Sequence, residues 1–358
     1  MKISMKLYRI IAKVIMVLVA VVFICAIVFI GMQISGKNRL YGRSKGMVPE
    51  MGSSPIQSTS EIIEAYQPLD ESNWKEGDVR YQGVHYRYNS DVLTFLFLGI
   101  DKMTEVKVVP EGDNGGQSDA IFLLVMNPHN MEINIIGIPR DTMAEIEVYS
   151  PKGNHIGTTT AQITLQHGYG DGAKISCERS MEAVSKLFYH LPIHGYCAIN
   201  MGAIPLINDA VGGVEVTALE DVIHSNIKKG QTIRLQGKQA YDYLHNRDTG
   251  SGQSAFRRLE RQKQYLNAYA KTATAAMKKD ITLPVTLYNT LSKYMVTDIS
   301  VDEVSYLATQ ALNYHFGEDS IRSLEGEIKK GEKYEEFYAD ETALYELILQ
   351  VFYEEVED

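Results

Sequence analysis

The sequence predicts an α/β fold: a three-layer α-β-α sandwich with a mixed, partly antiparallel sheet, preceded by one transmembrane helix. Three observations predict it. Three apolar runs of strand length, VLTFLFLGI, AIFLLVM and INIIGIP, stand close together and stop at charged residues or turns. Helix-period segments then alternate with short strands. An uncharged stretch, Val14 to Gly36, precedes them all.

That stretch has 23 residues. As a helix it reaches about 34 Å, enough for a bilayer core. A cleaved signal peptide has a shorter apolar region and a small-x-small site after it, and neither is found here. The expectation is an uncleaved anchor over 14–36 behind a cytoplasmic tail, 1–13. Four basic residues flank each side, so the charge rule does not choose an orientation. A short tail before a long folded body fits a cytoplasmic N-terminus and an extracellular body. Residues 37–60 are rich in Gly, Ser, Lys and Arg, and 61–90 suggest a short helix and an aromatic-rich extended piece, so 37–87 is expected to be a stalk. The domain proper is expected over 88–358, with its core at 92–270 and a C-terminal helical extension at 280–358.

Of the chain's 35 Lys and Arg, the first 45 residues hold eight and no acid; the remainder carries 27 basic and 45 acidic residues, a formal −18. Such a body is a poor nucleic-acid binder, because that binding rests on neutralising phosphates. Cys177 and Cys197 are compatible with a disulfide or with two buried thiols.

Within the core, the first run ends at Asp101, the second starts after Asp119 and the third ends at Arg140. The turn Asn127-Pro128-His129-Asn130 joins the second to the third, so these two should be antiparallel. If the first also pairs antiparallel with the second, Asp101, Asp119 and Arg140 meet at one rim of the sheet. Charges at strand ends also simply mark solvent, and Thr142-x-x-Glu145 also reads as a capping box for a short helix.

Downstream, helices are expected over Ser176 to Leu191, from an Asn200 cap to Val211, near Gly237 to Leu244, from Phe256 to about Lys279, and over 302–313 and 340–353. On the long helix Arg258 and Gln262 share a face, Arg257 and Arg261 form a neighbouring stripe, and Arg247 lies just upstream. Guanidinium groups match phosphate oxygens and keep their charge. The same pattern suits a solvated helix face with Glu260 pairing locally. GYGDG (168–172) lacks the phosphate-loop pattern, the histidines lack metal-ligand spacing, and no hydrolase nucleophile elbow or Cys/His pair is found.

The segments FLFLGID (95–101), SDAIFLLVMNP (118–128), INIIGIPRDTM (133–143), INDAVGGVEV (207–216), LQGKQAYDYLHNRD (235–248) and RLERQ (258–262) together resemble the LytR-CpsA-Psr family of Gram-positive cell-envelope enzymes. The resemblance covers about 92–270, in the family's order. It implies transfer of a glycopolymer, such as a teichoic acid or capsule, from a polyprenyl-pyrophosphate carrier to peptidoglycan through a phosphodiester. The lipid would lie in an apolar tunnel between sheet and helices. By motif position, Asp101 and Asp119 would bind Mg²⁺ (or Mn²⁺), Arg140, Arg247 and Arg258 would hold the phosphates, and Gln262 would lie beside them. Asp141 would act as a base or orient Arg140. Three positions depart from the family pattern: Gln117 and His245 stand where arginines are common, and Ser254-Ala255 replace a usual acid. A lipid-binding scaffold and a lipid pyrophosphatase are the competing expectations.

Overall fold

The computed structural model describes residues 26–52, 73–110, 115–248, 250 and 253–356. The predicted tail, the first part of the predicted anchor and the start of the 61–90 segment lie outside them.

Helix α1 covers 26–43. Its first described turns expose Ile27, Val28, Phe29, Ile30 and Ile34, whereas Leu40 is fully buried. Gly36 permits this docking, since a Cβ there would lie 2.4 Å from the Asp302 carbonyl oxygen. Residues 37–52, expected from composition to be a stalk, therefore lie partly on the body, with Met51 also buried. Among the described residues no helix is long and apolar enough to cross a membrane. A hairpin follows, β1 (Val79–Tyr81) and β2 (Val84–Tyr88), where the 61–90 segment was expected to be extended.

The central sheet starts with β3 (Leu93–Ile100), β4 (Ser118–Asn127) and β5 (Glu132–Gly137). Both adjacent pairings are antiparallel: β4 with β5 as the turn predicts, and β3 with β4 as assumed for the convergence at the rim. A second hairpin, β6 (Met143–Tyr149) with β7 (His155–Gln162), stands outside this sheet. Thr142 caps no helix: β6 follows it, and its hydroxyl donates to the Pro139 carbonyl at 2.6 Å. Next come α2 (Leu165–Gly168), α3 (Lys174–Leu187), β8 (Gly195–Asn200), α4 (Ile204–Ala210), and the β9 (Val214–Thr217)–β10 (Thr232–Leu235) pair. The Asn200 side chain donates to Thr104 O rather than capping α4.

The rest comprises α5 (Lys238–His245), α6 (Ser254–Lys279), α7 (Leu283–Leu291), β11 (Met295–Thr297), α8 (Val301–Ala311), β12 (Ile321–Ser323), the hairpin β13 (Gly326–Lys330)–β14 (Glu335–Ala339), α9 (Glu341–Phe352) and β15 (Tyr353–Val356). The sheet order is β11-β8-β3-β4-β5-β12, with β8 parallel to β3 and β12 parallel to β5. The stretch 280–358 is therefore more than the helical extension expected. It supplies both edge strands of the central sheet, and β15 pairs with β2.

Alternation along β3 divides two cores. Leu96, Leu98 and Ile100 join the cluster holding Val184, Phe188 and Ile348 from the α3 and α9 side. Leu93 and Phe95 join Leu40, Ile299 and Tyr306 on the opposite face. Helices thus cover both faces, which explains why β3 reads as a continuous apolar run. Cys177 and Cys197 are buried, free thiols; burial raises both, Cys197 to about 12.

His194 ties α1 to the sheet. Its Nδ1 accepts from Thr94 N–H at 3.1 Å, its Nε2 contacts the Ser44 hydroxyl, and its carbonyl accepts from Arg43. Burial, with Arg43 nearby, lowers its pKa from 6.5 to about 4. The unfolded chain therefore binds the extra proton between those values, and stability falls as pH drops from 6.5 toward 4. The loss should reach on the order of 3 kcal/mol at the low end. Denaturant titrations at pH 7 and pH 4.5 check this: the wild type should lose clearly more stability than His194→Gln.

Candidate functional site

The site grows from one rim of the sheet. The antiparallel register puts the end of β3 beside the start of β4, and the start of β4 beside the end of β5, where Ile138 N–H donates to Ile121 O. Gly99 pairs with Ala120 and Ile100 with Ser118, so Asp119 is the extra residue of a β-bulge. A bulge re-aims the side chain it carries. Asp119 is buried, and Arg140 Nη1 contacts its Oδ1 while Arg258 Nη1 donates to its Oδ2 at 3.0 Å. Asp101, Asp119 and Arg140, expected to converge from three strand ends, do come together.

Arg140 is ringed. Its Nη2 donates to Gln117 Oε1 at 2.8 Å, and its Nε lies 3.4 Å from Asp141 Oδ1. Gln117, which stands where an arginine was expected, thus holds one. Asp141 also accepts from Gln162 Nε2 at 3.0 Å. Burial raises the Asp141 pKa, while Arg140, Arg247 and Arg258 oppose the shift. Arg258 is almost fully buried, and that burial lowers its pKa against the pull of Asp119. Arg247 is half-buried, close enough for its charge to act on Asp141 and Arg258. Among the described residues it forms no hydrogen bond or ion pair. Its guanidinium is therefore without a protein partner among the described residues.

The second arginine stripe has another role. Arg261 is 1% exposed, donates to the carbonyls of Tyr243 and Asn246, and pairs with Glu220 at 3.0 Å. Arg257 also reaches Glu220. Arg261 thus fastens α6 to the end of α5, and both arginines tie α6 to Glu220 in the β9–β10 connection. Glu260 pairs locally with Lys263, but Arg258 and Arg261 are buried, so the arginine face is not the solvated one that the alternative reading expects.

Below the rim lies an apolar cavity of about 360 Å³. Alternate residues of the sheet form its floor: Phe97 and Gly99, Ala120 and Phe122, with Ile199. On α6, Gln262, Tyr265, Leu266 and Tyr269 line the wall, spaced as one helical face. Arg258 lies on that same face one turn before Gln262. One helix therefore runs from a charged rim to an apolar interior. Gln262 Nε2 donates to Leu244 O at 3.2 Å and marks the boundary.

Asp101 is exposed, and His245 Nε2 lies 3.6 Å from its Oδ1. Ligand atoms of Asp101, Asp119 and His245 lie within 4.8 Å of one another. Two carboxylates from adjacent strands suit a divalent cation that favours oxygen. The spacing of His245 in the sequence gives no hint of this neighbourhood, which depends on the packing of α5 over the rim.

Sequence reasoning also missed the supports. Thr164 is fully buried: its hydroxyl donates to Ser118 O at 2.9 Å and its N–H to Arg140 O at 3.2 Å. It clamps the two backbones that carry Asp119 and Arg140. Thr164→Val leaves the Ser118 carbonyl without that partner and should cost about 1–3 kcal/mol. Thr164→Ser should retain most of the stability, which melting curves will measure. From the C-terminal hairpin, Phe337 N–H donates to Asp141 O and Glu335 O accepts from Gln162. No local signal in residues 135–165 reveals these partners.

The family model described as the LytR_cpsA_psr family matches residues 55–348. The chain is 30% identical over 239 residues, 66% of its own length and 67% of the relative's, to a polyisoprenyl-teichoic acid–peptidoglycan teichoic acid transferase TagU of Oceanobacillus iheyensis. The TagU of Halalkalibacterium halodurans is 27% identical over 275 residues, 76% of this chain and 80% of that one. The crystal structure of B. subtilis TagV superposes with a TM-score of 0.54 at 22% identity, covering 72% of this chain and 96% of that one. At that identity the superposition speaks for the fold.

Proposed function

The chain belongs to the LytR-CpsA-Psr family, and from that premise we propose that it moves a glycopolymer from a polyprenyl-pyrophosphate carrier onto peptidoglycan. A teichoic acid is the polymer favoured by the names of its relatives. The observation that carries the reading is the direct continuity of an arginine rim with an apolar cavity. A carrier with a pyrophosphate head and a prenyl tail has that same polarity.

The cavity volume, about 360 Å³, lies within the ~300–1,000 Å³ of small-molecule sites, so it suits the head-proximal isoprene units. Arg140, Arg247 and Arg258 would face the pyrophosphate. Asp101 and Asp119 would hold Mg²⁺ or Mn²⁺, which supplies further charge neutralisation when bound. An acceptor sugar hydroxyl attacks the glycan-side phosphorus. The bond to the bridging oxygen breaks, a phosphodiester forms, and lipid monophosphate leaves, with the hydroxyl proton passing to solvent or to the leaving phosphate. Phosphoryl transfer of this kind needs positioning and charge stabilisation above all. Asp141, held between Arg140 and Gln162, orients Arg140.

The uncharged span 14–36 would anchor the chain in the membrane with its N-terminus in the cytoplasm and the domain outside. The apolar residues exposed in the first described turns of α1 support that reading. Acceptor dependence tests the activity. The full chain in detergent is given a polyprenyl-pyrophosphate-linked oligosaccharide and Mg²⁺ or Mn²⁺, with and without peptidoglycan. Glycan on peptidoglycan is the expected product. Lipid monophosphate released equally without acceptor would favour the pyrophosphatase, and bound lipid without turnover the scaffold.

A further inference from the structure

His245 is the last residue of α5, and its Nε2 faces Asp101 Oδ1 at 3.6 Å. That is too long for a hydrogen bond between them. The ligand atoms of Asp101, Asp119 and His245 come from three separate elements yet lie within 4.8 Å of one another. Asp101 is exposed, so water can complete a coordination sphere.

The imidazole is also held in place. Its ring stacks on Tyr241 one turn back, with centroids 4.8 Å apart and planes 16° from parallel. Its Nδ1 lies 3.0 Å from the Tyr241 hydroxyl. Metal-binding histidines are oriented in this way, by a partner on the nitrogen that does not bind the ion. When Nδ1–H donates to Tyr241, Nε2 turns its lone pair toward the two carboxylates; this tautomer follows from the contacts.

We propose that His245 is a third metal ligand, that it turns a carboxylate site into a mixed nitrogen–oxygen site favouring Mn²⁺ over Mg²⁺, and that Tyr241 is its positioning residue. Mg²⁺ takes oxygen ligands and keeps its waters. Imidazole suits transition-metal ions. Asp119 is already shared by Arg140 and Arg258. Their charge weakens its pull on any cation, so the neutral nitrogen donor contributes a larger share of the binding. The use of the bound ion rests on the transferase reading; its binding does not.

The test uses the full chain in detergent and MnCl₂, with free Mn²⁺ followed by electron paramagnetic resonance and Mg²⁺ as competitor. Each titration is run with and without inorganic pyrophosphate. The expected result is tight binding of one Mn²⁺, about tenfold or more favoured over Mg²⁺, with ¹⁴N coupling in the pulsed spectrum. His245→Gln should lose the imidazole coupling and most of the preference while melting like the wild type. Tyr241→Phe should keep the coupling and bind roughly 10-fold more weakly. Bound Mn²⁺ without imidazole coupling, coupling that persists in His245→Gln, or no Mn²⁺ binding under either condition overturns the proposal. No glycolipid is present in this experiment. A chain that binds Mn²⁺ through His245 but transfers nothing would refute the transferase and leave the metal site standing.

Discussion

Arg247→Ala is expected to lower glycan transfer by about 10²–10³-fold while leaving the melting temperature nearly unchanged. The contrast follows from what each arginine touches. The Arg140 terminal nitrogens are engaged by Asp119 and Gln117, and Arg258 is buried against Asp119. Arg247 is half-buried and, among the described residues, without a hydrogen bond or ion pair. Folding draws little on it. A pyrophosphate entering beside Asp141 would draw on it strongly, because a desolvated charge pair is worth far more than a solvated one. Arg247→Lys keeps the charge but not the planar fork, so it should recover only part of the activity. Steady-state transfer rates and melting curves measured on the same preparations check both halves. Wild-type rates in Arg247→Ala would remove this residue from the site.

Asp119→Ala should have the largest effect on stability, about 3–5 kcal/mol. Two guanidiniums meet on this one carboxylate, and the side chains of Arg258 and Asp119 are 3% and 5% exposed. Removing the shared anion leaves two cations facing each other in a poorly solvated place. Arg258→Ala should cost less, because Arg140 still compensates Asp119. Inorganic pyrophosphate can occupy the vacated anionic position, so it should raise the melting temperature of Asp119→Ala by more than that of the wild type. Denaturation with and without pyrophosphate measures this. An unchanged melting temperature in Asp119→Ala would contradict the coupled-pair account.

Much of this rim was legible in the sequence because its strands are buried on both faces. β3, β4 and β5 show as continuous apolar runs, and the turn at 127–130 dictates that β4 and β5 are antiparallel; the β3–β4 pairing, across the long 101–117 loop, has to be assumed, and with it Asp101, Asp119 and Arg140 come together. The bulge that aims Asp119 leaves no local trace. Edge strands β11 and β12 have three residues each and carry no period; their partners define them. The docking of α1 was hidden because it uses Gly36 and Leu40, a glycine and one apolar residue inside a polar stretch. Tyr241 and His245, four apart on α5, are a visible pair. Their neighbour Asp101 comes from a distant strand end, so the grouping emerges only in the fold.

The central claim is that rim and cavity form a single site for one amphipathic ligand. A structure of the full chain bound to a polyprenyl pyrophosphate tests it most directly. The account predicts phosphate oxygens about 3 Å from the guanidinium nitrogens of Arg247 and Arg140, with the first isoprene units against Phe97, Phe122 and Leu266. A ligand whose phosphates lie away from these arginines, or whose chain leaves the cavity empty, would contradict it.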